Sequence, residues 1–437
     1  MLALLFLNLC CVIVIRSETT SPSCIVPLTQ YGNSILAADL AIGTPPKMVT
    51  LFLQTISSET FVFDATIDLE GLGGKKDNYN HNKSLTYKKS YDFVWETQAK
   101  DRQISGAVNG EVAMETFLIN GSVSIGDQPF ALITSVSNWR EIMYVDGALG
   151  LATGDTPASK FAPELDPNFL TNVQKKAGYS IVTLWIEGRS TPTMPALDGQ
   201  LTFGSEDPKH CCTNETVWVD RTSSALWQFR LRSVRAPLLN KTFEMSQQLS
   251  QDKFNQAHFG LKWNPMSDMR ARYIRGPNTT IQAIASWVGA EYDWQNNSYS
   301  ILCEKVYNGI VIAFELDGGQ WVTLSPQHYV IQEGWNQTSC DFVFRGYNDS
   351  QTPSSSTYDN IWQFGQMFLQ SHCVHLQMAT GTQPNSKMGF SRTLNYDFVG
   401  MRIPRKPEDN SAQMPASALL LSLIFVALSI MFTNYYV

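Results

Sequence analysis

Apolar and polar residues alternate along most of this chain in short runs broken by Gly, Pro, Asn and Asp. KMVTLFLQT (47–55), METFLINGSVSIG (114–126) and SIVTLWIEG (180–188) are examples. A period of two with frequent turn signals predicts a mostly all-β protein. Helical patterning is sparse. TTIQAIASWVG (279–289) follows the turn signal Gly276-Pro277-Asn278, and residues 169–177 form a second predicted helix. Residues 71–90 are polar and lysine-containing and read as an exposed loop. The GLGG inside them (71–74) opens no helix, so it is loop and not a phosphate cradle. Neither a Gly-x-Ser-x-Gly nor a His-Glu-x-x-His motif occurs.

The two ends break the alternation. Residues 2–15, LALLFLNLCCVIVI, have the length of a signal-peptide core, which places a cleaved leader at 1–17. Residues 415–432, PASALLLSLIFVALSIMF, would span roughly 27 Å as a helix, enough to cross a bilayer. Small residues at Asn410-Ser411-Ala412 fit a lipid-anchor attachment region instead, so a helix and a lipid anchor both stay open. With 437 residues the chain is long enough for two domains. A formal net charge of −7 argues against a nucleic-acid partner. Eight Asn-x-Ser/Thr triplets begin at Asn82, Asn120, Asn214, Asn240, Asn278, Asn296, Asn336 and Asn348, the pattern of a glycosylated secretory protein. Once Cys10 and Cys11 leave with the leader, Cys24, Cys211, Cys212, Cys303, Cys340 and Cys373 remain. An even count in an oxidising compartment predicts three disulfides. Oxidation outweighs the alternative of a metal site built from Cys211, Cys212, Cys373, His210, His372 and His375.

Several local motifs occur in a telling order. Ile42-Gly43-Thr44-Pro45-Pro46 precedes Gln54-Thr55-Ile56-Ser57-Ser58, and Asp146-Gly147-Ala148-Leu149-Gly150-Leu151-Ala152 comes later. GQLTFGSED (199–207), LWQFRL (226–231), Gly276-Pro277 with IQAIASWVGAEYDWQNNSYSILC (281–303), IWQFGQMFL (361–369) and KMGFSR (387–392) follow. In this order the motifs resemble the pepsin-like aspartic proteases over roughly residues 33–394. The resemblance implies a bilobal pepsin-like acid protease fold with a central cleft and a few short helices. Its lobes would be 25–205 and 206–400, followed by a stalk at 401–414 and the apolar segment 415–432. It also implies a Cys303–Cys340 disulfide, with Cys373 bonded to Cys211 or Cys212 and Cys24 to the one left. A monomer binding a peptide or protein in the cleft is expected, membrane-attached through its C-terminal segment and using no cofactor or metal.

The chemistry that the resemblance implies needs two carboxylates sharing one proton, each held in an Asp-Thr/Ser-Gly turn. One deprotonates a water while the other protonates the scissile carbonyl. Here Gln54 occupies the first aspartate position, and a glutamine amide does not titrate. Ile56 stands where the turn has glycine. Counting nine positions back from Pro277 puts the second aspartate at Asp268, with Met269 and Arg270 in place of the hydroxyl residue and the glycine. Counting back from NGEVAMET (109–116) puts Gln103 at the tyrosine that covers substrate, with Gly106 and Gly110 as the glycines of that flap. Thr55, Ser57, Gln103 and Gly106 are then the expected substrate-binding positions. The fifteen or so residues between Ser17 and Asn33 also leave no room for a basic prosegment. The residues therefore favour a non-catalytic pseudoprotease. The alternatives are an active endopeptidase using Asp268 and a displaced carboxylate such as Glu59 or Asp64, and a structural surface glycoprotein.

Overall fold

The computed structural model describes residues 23–31, 35–67, 79–96, 107–136, 145–154, 167–187, 198–245, 255–261, 273–294, 298–331, 338–346 and 361–394. The expected signal peptide, the stalk, the segment 415–432, Gln103, Gly106, Asp268, Asn296, Asn336 and Asn348 lie outside these residues. Among the described residues no helix is long and apolar enough to cross a membrane.

Strands dominate, as the alternation predicts, and they form a bilobal, sheet-rich fold. One thirteen-stranded sheet begins with Val217–Asp220, Lys387–Arg392, His372–Gln377, Ile181–Ile186, Asp198–Phe203 and Cys24–Tyr31. It continues without a break through Ile35–Ile42, Lys47–Gln54, Gly147–Gly150, Phe61–Phe63, Val123–Val136, Ala107–Ile119 and Lys88–Glu96. Strands from both halves of the chain thus share one platform. An eight-stranded sheet carries the second lobe, with Gln228–Ala236, Asn255–Phe259 and Ile361–Phe364 at its centre. A four-stranded sheet holds Ser298–Leu302 against Ser339–Phe342.

Burial follows the pleat. Cys24, Val26 and Leu28 face the core while Ile25 and Pro27 face out, because successive strand side chains point to opposite sides. Edge-on aromatic contacts fill both interiors: Phe117–Phe130 at 5.8 Å in the first lobe, Phe314–Phe364 at 5.3 Å in the second.

Both predicted helices form. In Phe169–Ala177 the Asn168 side chain accepts from the Thr171 N–H, and Gly178 at φ 77° closes the C-terminus. Asn278–Val288 starts after Pro277 and stops at Gly289, φ 76°. The expected loop at 71–90 is corrected over its described part. Residues His81–Lys83 form a 3-10 turn and a strand begins at Lys88. Tyr79 is only 1% exposed, and its buried hydroxyl is satisfied by donating to the buried Glu115 carboxylate.

Among the described residues two disulfides form rather than three. Cys211 bonds Cys373 and Cys303 bonds Cys340, with Cα separations of 6.0 and 5.0 Å. Cys24 and Cys212 are not disulfide-bonded. Cys24 lies on the strand paired with Asp198–Phe203, whereas Cys212 donates its N–H to Arg392. Four inter-strand steps, about 19 Å, separate those strands, far beyond the reach of a disulfide.

Asn82, Asn120, Asn214 and Asn240 are exposed, and Asn278 is half-buried at the start of its helix.

Candidate active site

Gln54 ends the strand Lys47–Gln54, whose last four residues are all buried. That strand runs parallel to Gly147–Gly150 in the register Leu51↔Gly147 to Gln54↔Gly150. The chain after Gln54 folds back over the same glycines. A Cβ on Gly147 would sit 2.1 Å from the Phe61 carbonyl oxygen, and one on Gly150 would sit 2.3 Å from the Ser58 carbonyl carbon. Only glycine permits that approach, which explains both glycines of the Asp-Gly-Ala-Leu-Gly motif. Asp146 fixes the other end: its carboxylate accepts from the Thr50 N–H at 2.8 Å.

Hydrogen bonds close the turn on itself. The Leu151 N–H donates to the Gln54 carbonyl at 2.8 Å, and the Ala152 N–H donates to the Ser57 carbonyl at 3.1 Å. Ser57 Oγ accepts from the Glu59 N–H at 3.2 Å. The Gln54 side chain, in a residue 8% exposed, donates from Nε2 to the Glu59 carbonyl at 2.8 Å. It is an amide anchored to its own turn.

Thr55 joins the two lobes. Its N–H donates to the Leu261 carbonyl at 3.0 Å. Its hydroxyl accepts from the Leu261 N–H at 2.8 Å and donates to the Phe259 carbonyl at 2.9 Å. The second lobe repeats the strand geometry of the first: Asn255–Phe259 runs parallel to Ile361–Phe364 with Phe259 opposite Phe364. One step further, Gly260 stands beside Gly365 as Gln54 stands beside Gly150. The Gly260 N–H donates to the Phe364 carbonyl at 3.0 Å, and Gln363 Nε2 donates to the Gly260 carbonyl at 3.1 Å. The repeated register and the reciprocal bonds of Thr55 and Leu261 give Gln54 and Gly260 equivalent positions in the two halves.

Counting from Pro277 leads instead to Asp268, eight positions later. Asp268, Met269 and Arg270 lie outside the described residues, and the segment that meets Thr55 is Phe259–Leu261. The signal that could have located it was the apolar strand pattern ending at Phe259-Gly260-Leu261, read against Leu53-Gln54-Thr55 rather than against a fixed interval. Of the flap residues, Gly110 is buried in the strand Ala107–Ile119 opposite Phe93, while Gln103 and Gly106 fall outside the described residues.

The two candidate replacement carboxylates differ. Asp64 is fully buried and committed elsewhere, with Oδ2 at 2.5 Å from His81 Nδ1 and Oδ1 accepting from the Thr66 N–H at 2.7 Å. Burial alone would raise its pKa, but the bonds from His81 and Thr66 outweigh that and hold the carboxyl below its ordinary value. Glu59 is 5% exposed and lies in the Gln54 turn itself.

Each of the described histidines His81, His210, His328, His372 and His375 is taken up by a local hydrogen bond. His375, for instance, is fully buried between Thr183 Oγ1 at 2.9 Å and Ser391 Oγ at 2.8 Å, and desolvation lowers its pKa to about 3. The cysteines weighed as metal ligands include Cys211 and Cys373, which are spent on their mutual disulfide.

Comparison with known proteins agrees with the geometry. Residues 36–387 match the family model for eukaryotic aspartyl proteases. The chain is 24% identical over 357 residues to aspartic protease 1 of Caenorhabditis elegans, covering 81% of this chain and 82% of that protein. It is 27% identical over 349 residues to cathepsin D of Chionodraco hamatus, with 78% of each covered. Against renin of Ovis aries the figures are 22% over 381 residues, 85% and 83%. This chain belongs to the eukaryotic aspartyl protease family.

Proposed function

We propose that this aspartyl-protease-family chain is a pseudoprotease, a pepsin-like domain that binds an extended peptide or protein segment in its cleft and does not cut it. One observation carries the reading: Thr55 bonds both Phe259 and Leu261, which makes Gln54 and Gly260 the equivalent residues of the two turns. Neither carries a carboxylate. Water activation needs a base and carbonyl polarisation needs an acid, supplied in this family by one shared proton between two carboxylates. An amide cannot take part, and a glycine has no side chain. Losing one member of such a cooperating unit costs about four to six powers of ten in rate.

What remains is backbone able to pair with an extended ligand. Gln103 and Gly106 are the proposed binding positions; Thr55 and Ser57, expected beside them, are buried with their polar groups bonded inside the protein. The leader, the sequons and the apolar segment 415–432 further support a glycosylated, membrane-attached protein of the secretory pathway, with its globular part on the extracellular or lumenal side. The lobes in this reading run from 25 to 205 and from 206 to 400.

A second reading rests on Glu59, a buried carboxylate in the same turn as Gln54, which would serve an active endopeptidase together with Asp268. One experiment separates the two. The purified ectodomain is incubated with a mixed peptide library from pH 3 to 7, and both cleavage products and bound peptides are identified by mass spectrometry. Retained but uncut peptides are expected. Turnover that a statine-type transition-state mimic blocks and Glu59→Gln abolishes would replace the pseudoprotease with the protease. Neither binding nor cleavage would leave a structural glycoprotein.

A further inference from the structure

The guanidinium of Arg221 sits where the two lobes meet. Its Nε donates to the Ser223 carbonyl at 2.5 Å, and Nη2 donates to Thr153 Oγ1 at 2.5 Å and to the Ser224 carbonyl. The indole of Trp227 lies under the cation at 4.7 Å, and that indole N–H donates to the Leu151 carbonyl at 2.6 Å. Every one of these acceptors is neutral. Among the described residues no carboxylate pairs with Arg221 and no acceptor meets Nη1. The contrast with other arginines is direct. Arg230 and Arg232 face Asp317, Arg235 faces Glu315, Arg345 faces Asp341 and Arg392 faces Glu215.

Neutral acceptors satisfy N–H groups but leave the charge uncompensated, and a largely shielded cation without a counter-charge is costly. Ring stacking returns about 0.5–2 kcal/mol, which does not replace an anion. Desolvation accordingly pulls the guanidinium's pKa down to about 10.

Position supplies the partner. Thr153 follows two residues after Leu151, whose N–H bonds the Gln54 carbonyl, so the guanidinium is tied to the segment that leaves the Gln54 turn. An extended ligand over Gln54 that continues along this segment would bring a side chain to it two or three residues on.

We propose that Arg221 is a specificity-determining residue of the cleft, which pairs through its Nη1 edge with a carboxylate of the bound peptide. The inference rests on the peptide-binding reading and adds to it a preference for acidic segments. A planar guanidinium suits a carboxylate because its parallel N–H groups match the two oxygens.

The test uses the full-length chain purified in detergent and two fluorescent peptide sets, alike except that one glutamate or one glutamine is moved along the sequence. Fluorescence anisotropy should show one register in which the glutamate peptide binds about tenfold tighter than its glutamine twin. In Arg221→Gln that ratio should fall to one. Arg221→Lys should keep part of the preference. If Arg221→Gln does not fold, the wild-type protein still decides: the glutamate peptide should raise its melting temperature more than the glutamine twin. Equal affinities in every register, or a preference that survives in Arg221→Gln, overturns the inference and leaves peptide binding standing. Wild-type protein that binds neither set overturns both. Stabilisation by chloride or sulfate alone, lost in Arg221→Gln and without any glutamate preference, would make the site one for small inorganic anions and refute the peptide assignment.

Discussion

Replacing Thr55 by valine removes one hydroxyl and keeps the shape. In the wild-type protein that hydroxyl accepts from the Leu261 N–H at 2.8 Å and donates to the Phe259 carbonyl at 2.9 Å. Thr55 is completely buried, and Phe259 and Leu261 are 1% and 3% exposed, so water does not replace the lost partner. Each orphaned backbone group costs about 1–3 kcal/mol, which puts Thr55→Val at about 2–6 kcal/mol of destabilisation. Thr55→Ser keeps both hydrogen bonds and loses one buried methyl group, about 1 kcal/mol. Urea unfolding of the ectodomain, followed by tryptophan fluorescence and far-UV circular dichroism, measures both. The comparison is valid where the two variants unfold with the same denaturant slope. Valine should therefore lower stability by at least about twice as much as serine. A valine variant within about 0.5 kcal/mol of the serine variant would refute the reciprocal lock between Thr55 and Leu261. With it would fall the argument that makes Gly260 the counterpart of Gln54.

Restoring catalysis should require both turns. Gln54→Asp alone should give no acid-pH peptide cleavage above background, whereas Gln54→Asp with Gly260→Asp should give measurable turnover that Asp268→Asn leaves unchanged. Dependence of that turnover on Asp268 would reinstate the position reached by counting. For Asp64, a folded-state pKa lowered below the unfolded value means stabilisation fully present above about pH 4 and lost as pH falls through the folded value. Asp64→Asn should thus be less stable than wild type by a constant margin from pH 5 to 7, with the gap closing below pH 4; urea midpoints across pH read it, and an unchanged gap at pH 2 would contradict the assignment. Peptide mapping without reduction should return Cys303 with Cys340 and Cys211 with Cys373, and alkylation after unfolding should label Cys24 and Cys212. A Cys24–Cys212 peptide would overturn the strand spacing described above.

Much of this molecule is legible one segment at a time. Period-two runs foretell strands, and the caps Asn168, Gly178, Pro277 and Gly289 bound both helices, because these signals act within a few residues. The paired glycines at 147 and 150 and the order of the motifs were enough to indicate the family, and Gln54 was enough to question its chemistry. What lay beyond the sequence depends on pairings between distant segments. Cys373 could have met Cys211 or Cys212. Adjacent residues in an extended segment point to opposite sides, and the antiparallel bridge of Cys211 with Thr393 turns Cys211 toward Cys373. The partner of Gln54 was hidden for a similar reason. A count along the chain cannot see whether extra residues fall before or after a turn, whereas hydrogen-bond register can. Phe259 and Leu261 are more than two hundred residues from Thr55, and only the folded lobes bring them to one hydroxyl. The chain therefore declares its first turn on its own, and the tertiary structure alone decides that the equivalent residue in the second lobe is Gly260.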